Sequence, residues 1–139
     1  MNLFEDFTGR LDIGGLLGSA ETAMYLYDVK PGNSFPYHYE YVEEWLLVLD
    51  GDVVLRTPAG EQELRRGDLV CFAPGPSGAH KVSNRSAQSA RVLMFSSARE
   101  PSVAVYPDSD KIGVWPGNDA DRVMLRRGDG RVDYYDGER

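Results

Sequence analysis

The sequence predicts an all-β fold, a sandwich or barrel of short strands, on three observations. Turn signals built from Gly, Pro, Asn and Asp recur about every 8 to 12 residues between Pro31 and Asn84, the rhythm of such folds. No segment before residue 100 sustains the 3.6-residue periodicity of an amphipathic helix. The chain's 15 Gly and 8 Pro are scattered without period, which suits tight turns and neither collagen nor a low-complexity linker.

In chain order, residues 1–21 read as an N-terminal arm. LDIGGLLGS carries two adjacent glycines and holds no helical period, so it is expected as an edge strand or a packed arm. Thr22 to Val29 is the first strand, rich in aromatic and apolar residues, and Pro31-Gly32 ends it. Phe35 to Tyr41 alternates Tyr37, Tyr39 and Tyr41 against His38 and Glu40, which places the tyrosines on the opposite, packing side. Trp45 to Leu49 is apolar on both faces, and Asp50-Gly51 is a hairpin signal before Val53 to Thr57. Glu61 to Leu64, Leu69 to Phe72, His80 to Ser83 and Ala90 to Ser96 follow as strands. Between them APGPSGA (Ala73 to Ala79) is a rigid loop that delivers His80. After residue 98 the chain turns polar, with short strands expected at Val103–Tyr106, Ile112–Trp115, Val123–Leu125 and Arg131–Tyr135. These 99–139 residues are too few to hold a core alone and are read as an extension wrapped on a barrel formed by 22–98, all within one domain.

Strand parity has a further consequence. If Glu44, Leu46 and Val48 face inward, Trp45, Leu47 and Leu49 face outward, and such an apolar row requires cover. The cover is expected from the C-terminal extension or from a second subunit, and a homodimer is favoured.

Composition excludes several roles. A hydrophobic content of 42% rules out a disordered chain. A net charge of −7, with basic residues interleaved among acids, opposes binding to nucleic acid or to an anionic membrane surface. About 18 apolar residues nowhere run uninterrupted, so no membrane span is expected. The first residues lack the apolar stretch of a signal peptide, and the single cysteine, Cys71, forms no internal disulfide, so a reduced cytoplasmic setting is expected. Cys71 itself sits in an apolar run and reads as a small buried hydrophobe. Asn84 reads as a turn residue; Arg56, Lys81 and Arg91 are open to lining a pocket for a carboxylate substrate, but most surface charges are simply solvated.

The chemistry concentrates in GNSFPYHYEYVEEWLLVLDG, Gly32 to Gly51. His38 and Glu40, two residues apart on extended chain, share a face, and Glu44 has the same parity. The second of the chain's two histidines, His80, follows the Gly/Pro loop. One histidine on a strand is most often structural. Imidazole nitrogen with carboxylate oxygen is the donor set of a divalent first-row metal, and the expected site is His38, Glu40, Glu44 and His80 around such an ion inside a barrel. Glu40 is open to two roles, metal ligand or general base beside the metal. The competing account is a site without metal, its inward carboxylates protonated or hydrogen-bonded to tyrosines.

The spacing of these residues resembles the two motifs of the cupin superfamily. In the first, Gly32, His38, Glu44 and Gly51 stand at the family's positions, with Glu40 where a second histidine usually sits. In the second, Gly67, Ala73 or Pro74, Gly75, His80 and Asn84 follow the family order, with the loop before His80 two residues longer. The tail (YPDSDK, then DYYDGE) is similar to that of single-domain bacterial cupins. The resemblance implies a double-stranded β-helix, or jelly-roll, barrel with a C-terminal extension. It also implies metal-ligand positions at His38, Glu44 and His80. Two histidines with two glutamates make a formally neutral, oxygen-rich site suited to manganese, iron, zinc or nickel. The expected function is a small-molecule enzyme of dioxygenase, isomerase or lyase type. The alternatives are a non-enzymatic barrel that binds or senses a small molecule, and a structural barrel with a vestigial pocket.

Overall fold

The computed structural model describes residues 1–97 and 100–138. The boundary expected between barrel and extension, at 98/99, lies outside the described residues. Three antiparallel sheets build the fold. The largest is ordered β1 (Arg10–Asp12), β2 (Ala23–Val29), β9 (Ala90–Ser96), β4 (Glu44–Asp50) and β7 (Leu69–Phe72). Facing it is a three-stranded sheet of β6 (Gly60–Arg65), β5 (Asp52–Thr57) and β8 (Lys81–Ser83). The third joins β12 (Val123–Arg126), β11 (Lys111–Trp115), β10 (Ser102–Tyr106) and β3 (Tyr39–Glu40), so the C-terminal strands attach beside the ligand segment.

Period-two alternation explains the stacking. Leu46 and Val48 of β4 turn inward beside Val92 and Met94 of β9, and meet Val53, Leu55 and Val82 from the facing sheet. Leu46, Val48, Leu55, Val82 and Val92 are wholly excluded from solvent. The inward parity of Leu46 and Val48 is therefore as the sequence indicates.

The expected hairpin at Asp50-Gly51 is corrected. Strands β4 and β5 do not pair with each other; both edges of β4 are taken by β7 and β9, and β5 pairs with β6 and β8. The turn is a corner between sheets. Gly51 has φ +73°, and a Cβ there would lie 2.9 Å from Ala90 Cα, so the chain turns where only glycine fits.

The outward row on β4 is covered within the chain by the N-terminal arm and not by the C-terminal extension. Leu47, Leu49 and Phe95 pack with Ile13, Leu26 and Leu93, and with Leu3, Phe7 and Leu11 of the N-terminal arm. Arg91 holds the arm there by donating to the carbonyls of Leu3, Glu5 and Phe7 at 3.1, 2.9 and 3.1 Å. Sequence parity identified a face in need of cover, but not the segment that reaches it. Within the arm, Ile13–Leu16 makes one helical turn, begun by Asp12 accepting from the Gly15 N–H at 2.8 Å.

Three other expectations change. Cys71 is exposed, because β7 is an edge strand whose outward positions are Leu69 and Cys71 and whose buried one is Phe72. Arg131–Tyr135 is not a strand: Val132, Tyr134 and Tyr135 are exposed and pair with no sheet edge. Phe35 to Tyr41 is mostly irregular chain, with paired backbone only at Tyr39–Glu40 and at bridges from Ser34 and His38. Tyr39 is buried with Ala79 and Val105, as a packing residue should be, whereas Tyr41 is exposed.

Asn84 ties the turn before β9 to the core. Its Nδ2 donates to Val29 O and Gln88 O, both at 2.7 Å, and its Oδ1 accepts from the Ser86 N–H and hydroxyl at 2.9 and 2.7 Å. Asn84→Ala strands these buried partners and is expected to lower unfolding stability by about 2 to 3 kcal/mol in urea denaturation; a loss under about 0.5 kcal/mol would show the network to be dispensable.

Candidate metal centre

A short antiparallel backbone bridge brings the two histidines together. His38 N–H donates to His80 O at 3.0 Å, and His80 N–H to His38 O at 2.9 Å. Residues paired this way present their side chains on one face, and the imidazole centroids stand 4.7 Å apart. Forty-two positions of sequence separation vanish in one two-bond ring.

The loop before His80 is shaped for this delivery. Gly75 N–H donates to Glu40 O at 2.7 Å, which fastens the loop to β3. A turn of 3-10 helix over Pro76–Gly78 follows, and a Cβ at Gly78 would collide with Ala73 O. Gly78 is thus required by close backbone approach. The Gly78 carbonyl then accepts from His80 Nδ1 at 2.9 Å, just as the Pro36 carbonyl accepts from His38 Nδ1 at 3.0 Å. A carbonyl only accepts, so each Nδ1 carries the hydrogen and each Nε2 is left with its lone pair.

Both lone pairs face Glu44. Its Oε2 lies 3.2 Å from His80 Nε2 and 3.9 Å from His38 Nε2. Glu44 comes from the first position of β4, on the inward side that Leu46 and Val48 continue. Glu44 Oε2 and His80 Nε2 are buried with no hydrogen-bond partner. Acceptors left facing one another in a dry site are costly unless a positive centre lies among them. His38, Glu44 and His80 offer one donor atom each, all within 4.8 Å of one another. Two donors each about 2.1 Å from one ion stand about 3 to 3.4 Å apart, which the His80–Glu44 separation meets. The residues fit a divalent cation. Phe72 stacks on His80 with centroids 3.7 Å apart and planes at 9°, and Tyr106 stacks on His38 at 5.9 Å, so both rings are held in place.

Burial, then the nearby His80, lowers the pKa of His38 and favours the neutral ring a metal would need. Glu40 lines the same cavity but stands outside the three-residue cluster. Its carboxyl is pushed up to about 7, first by burial and then by the charge of Glu44, with His80 pulling the other way.

The cavity holds about 500 Å³ and opens between the large sheet and the C-terminal strands. Beside His38, Glu40 and Glu44 it is lined by Tyr25, Tyr27, Phe35, Tyr106 and Trp115. It also takes in Arg10, which the sequence reading passed over because a lone arginine in the arm gives no signal without its strand register. Arg56 and Arg91 are committed elsewhere, to Asp108 at 2.6 Å and to the arm's carbonyls.

Among known proteins, a family model described as a cupin domain matches residues 25–96. No curated protein sequence is significantly similar to the chain. Of solved structures, a sugar phosphate isomerase of the cupin superfamily from Silicibacter pomeroyi aligns with TM-score 0.78 and 26% identity, over 91% of this chain and 82% of its own. A putative sugar phosphate isomerase from Acidithiobacillus ferrooxidans aligns at 0.77 and 24%, over 89% and 79%. A polyketide cyclase from Streptomyces resistomycificus aligns at 0.58 and 22%, over 67% of each chain. The last two show the fold alone. No helix among the described residues is long and apolar enough to cross a membrane.

The raised pKa of Glu40 has a stability consequence in metal-free protein. The folded state holds this proton more tightly than the unfolded chain, so the associated stability is present below pH 4.5 and lost as pH rises through about 7. Glu40→Gln removes that loss. Between pH 5 and pH 8 the variant should gain roughly 2 to 3 kcal/mol relative to wild type in chelator-treated samples. Urea denaturation at the two pH values tests this, and parallel changes in both proteins would count against it.

Proposed function

Because the chain belongs to the cupin family, we propose that its barrel is the site of a divalent-metal enzyme of isomerase type, which interconverts the carbonyl and hydroxyl positions of a small sugar phosphate. The observation that carries the metal is the pair of buried, partnerless acceptors, Glu44 Oε2 and His80 Nε2, with the lone pair of His38 turned to the same point. His38, Glu44 and His80 would hold the ion, which when bound supplies Lewis-acid polarisation of substrate oxygens.

The remaining chemistry falls to the chain's own residues. Moving a carbonyl to the neighbouring carbon needs one proton taken from the hydroxyl-bearing carbon and one returned to the former carbonyl carbon, while the hydroxyl proton passes from its oxygen to the former carbonyl oxygen. Glu40 lines the cavity outside the cluster of three, and burial raises its carboxyl toward the neutral range in which a group can both take and return a proton. Reading Glu40 as the proton carrier takes up the general-base role left open by the sequence. The aromatic lining of Tyr25, Phe35, Tyr106 and Trp115 limits water around the reacting carbons. The likeness to the sugar phosphate isomerase from Silicibacter pomeroyi supports this substrate class.

Metal analysis of the purified protein should find about one divalent ion per chain, lost in His38→Ala with the fold retained. With a panel of sugar phosphates in heavy water, wild type should exchange deuterium into the carbon next to the carbonyl, read by NMR. Glu40→Gln should slow that exchange by about a hundredfold or more while keeping its metal. Metal-free wild type that takes up no added ion, or full exchange in Glu40→Gln, would overturn the respective part.

A further inference from the structure

Arg10 opens β1, and its strand partner is Tyr27 of β2. On β2, Tyr25 and Tyr27 are two residues apart and share the cavity face. The Arg10 guanidinium lies 4.1 Å over the Tyr25 ring, beside the phenol of its strand partner Tyr27. It is thus positioned by a cation–π stack on the wall of the same cavity that His38, Glu40 and Glu44 line.

Its charge is otherwise unspent. Among the described residues lining the cavity, Arg10 is the one lysine or arginine, set among Glu40, Glu44 and Glu100. Arg56, Arg85 and Arg127 each pair with a carboxylate, at 2.6, 2.7 and 2.9 Å. Among the described residues no carboxylate comes within ion-pair distance of Arg10. A guanidinium has five N–H donors in a planar fork, and the Tyr27 phenol beside it has a hydrogen of its own to donate.

Resting on the reading above, we propose that Arg10 grips the phosphate group of the substrate, with the Tyr27 hydroxyl as a second donor, while the reacting carbons face the His/Glu cluster. The fork geometry suits two phosphate oxygens at once, and the held ring stack lowers the ordering cost. The N-terminal arm, whose other visible task is to cover the outer face of the large sheet, is thereby part of the binding site and sets its preference for phosphorylated over neutral sugars.

Equilibrium titrations of metal-loaded protein with fructose 6-phosphate, fructose and inorganic phosphate test this on wild type, Arg10→Gln and Arg10→Lys. Wild type should prefer fructose 6-phosphate to fructose. Arg10→Gln should weaken fructose 6-phosphate and inorganic phosphate about ten- to a hundredfold, leave fructose unchanged and keep the same metal per chain; Arg10→Lys should lose less. Unchanged phosphate affinity in Arg10→Gln, an equal loss for fructose, or no preference in wild type overturns the assignment. Since metal content is measured in the same samples, failure of the Arg10 contact with the ion in place leaves the metal site standing. Arg10-dependent phosphate binding in protein that holds no ion supports the contact and sinks the metal reading.

Discussion

The centre of this protein depends on two backbone hydrogen bonds, those that pair His38 with His80. They do for the site what a hairpin does for two neighbouring strands: they set residues opposite each other with side chains on one face. Because the pairing is through main chain, it fixes the imidazole positions without using either ring's nitrogens. Each Nδ1 then goes to a carbonyl two residues back in its own segment, and the Nε2 lone pairs are left to converge on Glu44. Segments around the pair are shaped to permit it, from the glycine-tight loop at Pro76–Gly78 to the tie from Gly75 to Glu40.

Charge is distributed to match. Among the described residues, no carboxylate is fully buried between the two facing sheets, and the inward carboxylates gather at one end, in the cavity. There the chain places two imidazole lone pairs and carboxylates that repel one another, an arrangement that is unfavourable until a cation is added. Elsewhere arginines are used as fasteners: Arg56 to Asp108, Arg85 to Glu61 and Arg91 to the carbonyls of the arm. Arg10 differs in being held by aromatic rings and pointed into a cavity rather than neutralised.

Much of the fold was legible because strand alternation and turn chemistry are local. The strands at Leu69–Phe72 and Ala90–Ser96 appear with the bounds their residue patterns indicate, and Leu46 and Val48 lie inward as parity requires. Asp50-Gly51 shows the limit of the same reasoning. The dipeptide does demand a sharp turn at positive φ, but whether the next strand folds back on the last or crosses to another sheet depends on which edges are already taken. Cys71 shows it again, since an apolar run is buried on both faces only in the middle of a sheet, and β7 is an edge.

For the site, histidine and glutamate spacing was enough to nominate His38, Glu40, Glu44 and His80 as a group, because period-two geometry and donor chemistry belong to the residues themselves. That three of them meet within 4.8 Å, with Glu40 beside them in the cavity, was decided by tertiary structure. So was the arm's place over Leu47 and Leu49, and Arg10's place in the cavity wall. Periodicity says which way a side chain faces along its own strand; it carries no information about what stands across from it. Residue types thus specified the kind of chemistry and the kind of sheet, while the distances that make a site came from long-range pairing of strands.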